Sequence, residues 1–224
     1  MKNKLFRALA LSGLVALFTA CQSTPTATAP LSVSPHTLSE DTQTLLDLMP
    51  QGDSTFFFDL HLNETVDGLE VQSWTLNADH QWQQEAGGGT SGMLEHDDKI
   101  LMIQVLADQS RFAWSCGGVS SPSVPIGEDG AYFTSDWGAR GTDRLDKTID
   151  VPLNQPVPLL LILEKDGGSD GQLSMEVNDL MQSLEHPEQV DADRALFGTS
   201  YYTTGRPLSQ AGFPFVKWSA AVAN

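Results

Sequence analysis

A chain of 224 residues is long enough to fold as one sizeable domain with its own core. Its 12 Lys and Arg stand against 29 Asp and Glu, a net charge of -17, which repels nucleic-acid phosphate and anionic lipid headgroups and excludes a nucleic-acid-binding role. Only Cys21 and Cys116 are present, too few for a disulfide scaffold.

Lys2, Lys4 and Arg7 open the chain, and Ala8 to Ala20 is an apolar run broken by Ser12, Gly13 and Thr19. Thr19-Ala20-Cys21 closes it. A basic start, an apolar centre and small residues at a cut are what an export signal requires. With a cysteine at the cut, the segment resembles a bacterial lipoprotein precursor, whose lipobox ends in two small residues and Cys. The pattern departs once: Phe18 stands where the lipobox usually has Leu. The resemblance implies a diacylglycerol thioether on Cys21, cleavage between Ala20 and Cys21, and a mature protein lipid-anchored to the cell membrane on its extracytoplasmic side. Two acyl chains bind a bilayer firmly where one binds marginally. The alternatives are ordinary secretion with an incidental cysteine, and a transmembrane anchor, for which the run falls short of the ~20 residues a span needs. Removal of the signal leaves 9 basic against 29 acidic residues, about -20.

Gln22 to Pro35 is Ser, Thr, Ala and Pro without charge, and predicts a disordered tether. Ser39 to Met49 predicts a helix: Ser39 can cap, Glu40 and Asp41 suit its positive end, and Pro50 stops it. Its leucines predict packing on the edge or end of the following domain. From Ser54 the period is two. Phe56, Phe58, Leu60 and Leu62 alternate with Thr55, Phe57, Asp59 and His61. Glu70 to Asn77 and Gln81 to Glu85 read as a hairpin about Ala78-Asp79-His80, with Gly87-Gly88-Gly89 as a turn. Lys99 to Leu106 is apolar on both faces, hence a central strand, and Arg111 to Cys116 completes a second hairpin. Ala131 to Ser135, Arg144 to Val151, Pro156 to Glu164, Leu196 to Thr204 and Pro214 to Val222 follow as strands. Ser174 to Leu184 reads as a second short helix or as a strand plus loop. About ten short strands with no helical repeat between them predict an all-β, antiparallel β-sandwich with one short N-terminal helix. The predicted divisions are a signal at 1–20, a lipidated Cys and tether at 21–37, the helix at 38–50 and the sandwich at 51–224.

No nucleophile elbow, Walker loop, dinucleotide fingerprint or H-E-x-x-H motif occurs. His61, His80, His96 and His186 are scattered, without the spacing that seeds a metal site. Three acidic stretches, at Glu95 to Asp98, Asp166 to Asp170 and Asp191 to Asp193, could give calcium its oxygens, although none has the wrapping spacing of a calcium loop. Otherwise the composition calls for no cofactor. Cys116 alternates with Phe112 and Trp114 and reads as a buried small hydrophobe. Trp114 and Trp218 read as core. Trp82, just after a turn, and Trp137, in a loop-like stretch, are the aromatics that could lie exposed and stack on a glycan.

A short helix ending in Leu-Leu is followed by Phe56-Phe57-Phe58-Asp59 and by a hairpin whose second strand opens on Trp82. Further on come Leu153-Asn154-Gln155-Pro156-Val157-Pro158-Leu159 and a closing aromatic strand. This order resembles a class of small all-β lipoproteins of Gram-positive gut bacteria that has no assigned activity, and it implies no functional residue. The sequence thus reads as a membrane-anchored lipoprotein displaying an acidic sandwich, a binding or interaction module for a glycan or a protein partner. The alternative is a cell-envelope hydrolase with a site built from strand-end loops.

Overall fold

In the computed structural model the described residues are 30–49, 54–63, 65–91, 98–133, 137–167 and 180–204. Two antiparallel sheets make the fold. The first contains β1 (Ser32–Pro35), β2 (Thr55–His61), β5 (Lys99–Leu106), β6 (Arg111–Cys116) and the short β7 (Val119–Ser120), β8 (Val124–Pro125) and β10 (Ile149–Asp150). Its order is β10-β1-β2-β5-β6-β7, with β8 also on β6. The second contains β3 (Gly68–Leu76), β4 (Trp82–Ser91), β9 (Trp137–Arg144), β11 (Pro156–Asp166) and β12 (Arg194–Thr203), in the order β4-β3-β12-β11-β9. Among the described residues two α-helices, α1 (Glu40–Asp47) and α2 (Leu180–Glu185), accompany the sheets.

Period-two alternation builds the interface between the sheets. Phe56, Phe58 and Leu60 of β2 point inward with Leu101, Ile103 and Val105 of β5 and Phe112, Trp114 and Cys116 of β6. From the second sheet Leu69, Val71, Leu160, Leu196 and Tyr202 meet them in one core. The Trp114 indole lies against Gly88 of β4, where a Cβ would be 3.4 Å from its Nε1. The all-β, antiparallel sandwich read from the sequence is the observed architecture.

Several elements differ from their sequence reading. The last four residues of the predicted tether form β1, because Val33 finds an inward position opposite Leu60 and is fully buried there. The three glycines read as a turn continue β4 along β3, with Gly87 opposite Gln72 and Gly89 opposite Glu70. In β5, Leu101, Ile103 and Val105 face the core, while Ile100 is exposed. The strands buried on both faces lie in the second sheet instead, β11 among them. The outer side of β11 is covered by α2, through Leu180 and Leu184. Ala131 to Phe133 is no strand. Gly127 and Asp129 take left-handed φ values of 72° and 55°, and the turn they make brings the Tyr132 hydroxyl to Ala195, whose N–H donates to it at 3.1 Å. The strand predicted at Arg144 to Val151 is displaced: the loop-like stretch before it is β9, paired along β11, and only Ile149–Asp150 remains paired afterwards. Pro214 to Val222 and Trp218 lie outside the described residues.

Helix α1 forms as its capping residues dictate. Ser39 Oγ accepts from Thr42 N at 3.3 Å and acidic residues fill the first turn. It does not pack as predicted. None of its residues is buried, and Leu45, Leu48 and Met49 are 64 %, 77 % and 55 % exposed.

Candidate functional site

Because α1 stands off the sheet, a cleft opens beneath it at the end of the sandwich where β1 leaves and β2 enters. Its volume is about 860 Å³, within the ~300–1,000 Å³ of small-molecule sites. The apolar lining includes Leu38, Leu46, Leu145, Phe56, Phe57 and Phe58. The polar lining is His36, Glu40, Gln43, Thr44, Thr55 and Arg144. One wall is thus a helix and the other a strand end, with Arg144 arriving from the second sheet.

His36 is fixed twice. Its backbone N–H donates to Phe57 O at 3.0 Å, and its Nδ1 lies 2.7 Å from Asp59 Oδ1. The imidazole is tilted 53° to the Phe57 ring, with centroids 6.5 Å apart. Phe57 is on the outward side of β2, between Phe56 and Phe58 on the inward side. The arrangement offers an apolar floor with hydrogen-bonding groups and one guanidinium around it, which suits a ligand with an apolar body and an anionic or polar end. Sequence reasoning missed this site. The available signal was the middle phenylalanine of three in a row, which alternation sends to the outer face.

The tryptophans read as a stacking pair are not brought together. Trp82 on β4 and Trp137 on β9 hold opposite edges of the five-stranded sheet, roughly 19 Å apart at the usual strand spacing. Trp82 is half-buried: its Nε1 donates to Ser183 O of α2 at 3.2 Å, and its ring meets Phe197 edge-on at 4.7 Å. Trp137 is 41 % exposed, with the Arg140 guanidinium 4.7 Å from its ring centroid. Cys21 lies outside the described residues. Cys116 is buried, and burial pushes its thiol up to about 11 despite Lys99 nearby, so it carries little thiolate at neutral pH.

The acidic stretches are occupied by internal partners. Asp98 lies 2.9 Å from His61 Nδ1, Asp166 pairs with Arg194, and Asp191 lies 2.7 Å from Lys165 Nζ. Asp193 Oδ2 accepts from Asp166 N. Glu95, His96, Asp97 and Asp170 lie outside the described residues. Among the described residues no three His, Cys, Asp or Glu are grouped to hold a metal ion. Among the described residues three His–carboxylate pairs are found, at His36–Asp59, His61–Asp98 and His186–Glu188. Among the described residues none is hydrogen-bonded to a Ser or Cys that could serve as a nucleophile.

Among the described residues no helix is long and apolar enough to cross a membrane. No family model matches the chain, and no curated protein and no solved structure matches it.

Proposed function

We propose that this chain is an extracytoplasmic lipoprotein that is anchored through Cys21 and displays a binding domain, with the cleft beneath α1 as its ligand site. The cleft is the observation that supports binding: its size and its mixture of Phe57, Leu46, His36 and Arg144 suit a small amphipathic ligand. The signal ending at Cys21 and the first paired strand at Ser32 support the display. Ten intervening residues span at most roughly 35 Å, so the domain stays close to its anchor.

In a bacterial host fed radioactive fatty acid, the full-length chain is expected to take up label and lose its signal. Cys21→Ser is expected to do neither, and equal label on this variant would refute the anchor. Ligand binding has a separate test. The dye anilinonaphthalene sulfonate, an apolar ring system with an anionic end, is expected to bind the full chain with enhanced fluorescence. Phe57→Ala should weaken it about tenfold through lost apolar contact, and Leu46→Trp should block it by filling the cleft. Dye affinity unchanged in both variants would remove the cleft from the proposal.

A further inference from the structure

On the second sheet β3 and β12 pair so that Glu70 stands opposite Tyr201, Gln72 opposite Thr199 and Gly68 opposite Thr203. Alternation puts these residues on the same side as Trp74 and Phe197. That is the side turned away from Trp114 and the first sheet, which meet the sheet at Gly88 opposite Val71.

This outer side carries an unusual cluster. Glu70, Gln72 and Thr203 are only 7 %, 1 % and 6 % exposed, yet Glu70 Oε2, Gln72 Nε2 and Thr203 Oγ1 each lack a hydrogen-bond partner. Folded proteins leave few such atoms, because burying a polar group without a partner is costly. Three on adjacent strands of one face form a matched set: a carboxylate acceptor, an amide donor and a hydroxyl that serves as either. Burial raises the Glu70 pKa, with the Gln72 amide opposing, and Glu70 in turn adds to the rise of the Tyr201 pKa that burial begins. The carboxyl and the half-buried Tyr201 phenol stand on opposite residues of the β3–β12 ladder.

The chemistry of the partner follows from the mixture. A metal ion wants six or more oxygens, and this row offers one carboxylate beside an amide donor. An ammonium group would likewise face the Gln72 N–H. A hydroxyl both donates and accepts, so two adjacent hydroxyls can donate to Glu70 and accept from Gln72 while reaching Thr203. An aromatic side chain stands on the same side: Trp74, held by its Nε1 donating to Thr199 Oγ1 at 3.0 Å. The neighbouring edge strand β4 sets no side chain against this row: the residues facing Gln72 and Glu70 are Gly87 and Gly89, both exposed. A Cβ on Gly87 would lie 3.3 Å from Gln72 Cγ and 3.4 Å from Glu70 Oε1. A larger side chain there would crowd the row.

We propose that Glu70, Gln72 and Thr203 bind a saccharide through a pair of adjacent ring hydroxyls, entering over the glycines of β4. This site is separate from the cleft beneath α1 and does not depend on it.

The test uses the full chain and four probes: glucose, galactose, mannose and N-acetylglucosamine, followed by saturation-transfer NMR. At least one is expected to bind. Glu70→Gln and Thr203→Val should each weaken it about tenfold, as loss of one hydrogen bond does. Gly87→Val should abolish it, and Phe57→Ala in the cleft should leave it unchanged. Without sugar, Thr203→Val should melt above the unsubstituted chain, since it removes a buried hydroxyl with no partner. That rise shows the variant is folded, so its weaker binding reports the site. A chain that binds none of the four sugars, or binds them equally in the Glu70 and Thr203 variants, overturns the proposal. So does binding of calcium or of a primary amine in place of all four.

Discussion

Glu164→Ala is expected to lower the unfolding free energy by about 3–5 kcal/mol, the usual result of removing one partner of a buried charge cluster. Glu164 sits in β11 with no exposed surface. Its neighbours in the sheet supply the cations. Arg140 of β9, directly opposite, donates from Nη2 to Oε2 at 2.7 Å, and Arg194 of β12 donates from Nη1 to Oε1 at 2.9 Å. Arg140 also reaches Asp108 at 2.7 Å and stacks on Trp137, so one carboxylate ties three strands to a turn of the first sheet. Without it, two guanidiniums with side chains only 16 % and 22 % exposed share the space and repel. The melting temperature should fall by roughly 10 °C for a chain of this size. Replacing all three residues together, as Glu164→Met, Arg140→Met and Arg194→Leu, should recover much of the loss, because no charge is then left buried. A urea melt that moves by less than about 1 kcal/mol in Glu164→Ala would show the cluster to be dispensable.

The cluster shows what sequence could and could not reveal. Alternation in β2 and β6 was readable because Phe56, Phe58, Phe112 and Trp114 face one core and their neighbours do not. Ser39 before two acidic residues was enough for α1, since a cap is a local device. What failed depends on partners far along the chain. Trp137 to Arg144 carries two glycines and alternating charge and reads as a loop; it is a strand because β11 offers an edge and Glu164 a counter-charge. Val33 becomes core only because Leu60 and Ile149 flank it. Glu70 and Gln72 have the alternation of a solvent-facing row, and their burial could not be read from β3 alone. The cleft was hidden for a related reason. Leucines in and just after α1 predict burial, and the exposure of Leu45 and of the capping Leu48 is a fact about where the helix sits, not about its composition.

The second large effect is at Trp114. Trp114→Ala is expected to cost about 3–5 kcal/mol, as deletion of a buried aromatic does. Its indole is 3 % exposed in the middle of β6, opposite Ile103, and reaches across the sandwich to Gly88, so the cavity left behind would lie between two sheets that pair only with their own strands. Neither backbone can close it without breaking a ladder, which puts the loss toward the upper end of the range. The Nε1–H is buried and has no hydrogen-bond partner. Trp114→Phe therefore removes an unsatisfied donor along with some volume, and these oppose each other, so it should cost less than about 1.5 kcal/mol. The contrast separates packing from polarity. If Ala and Phe are equally harmful, the indole nitrogen is bonded and the local geometry is different; if neither is harmful, the ring does not bridge the sheets.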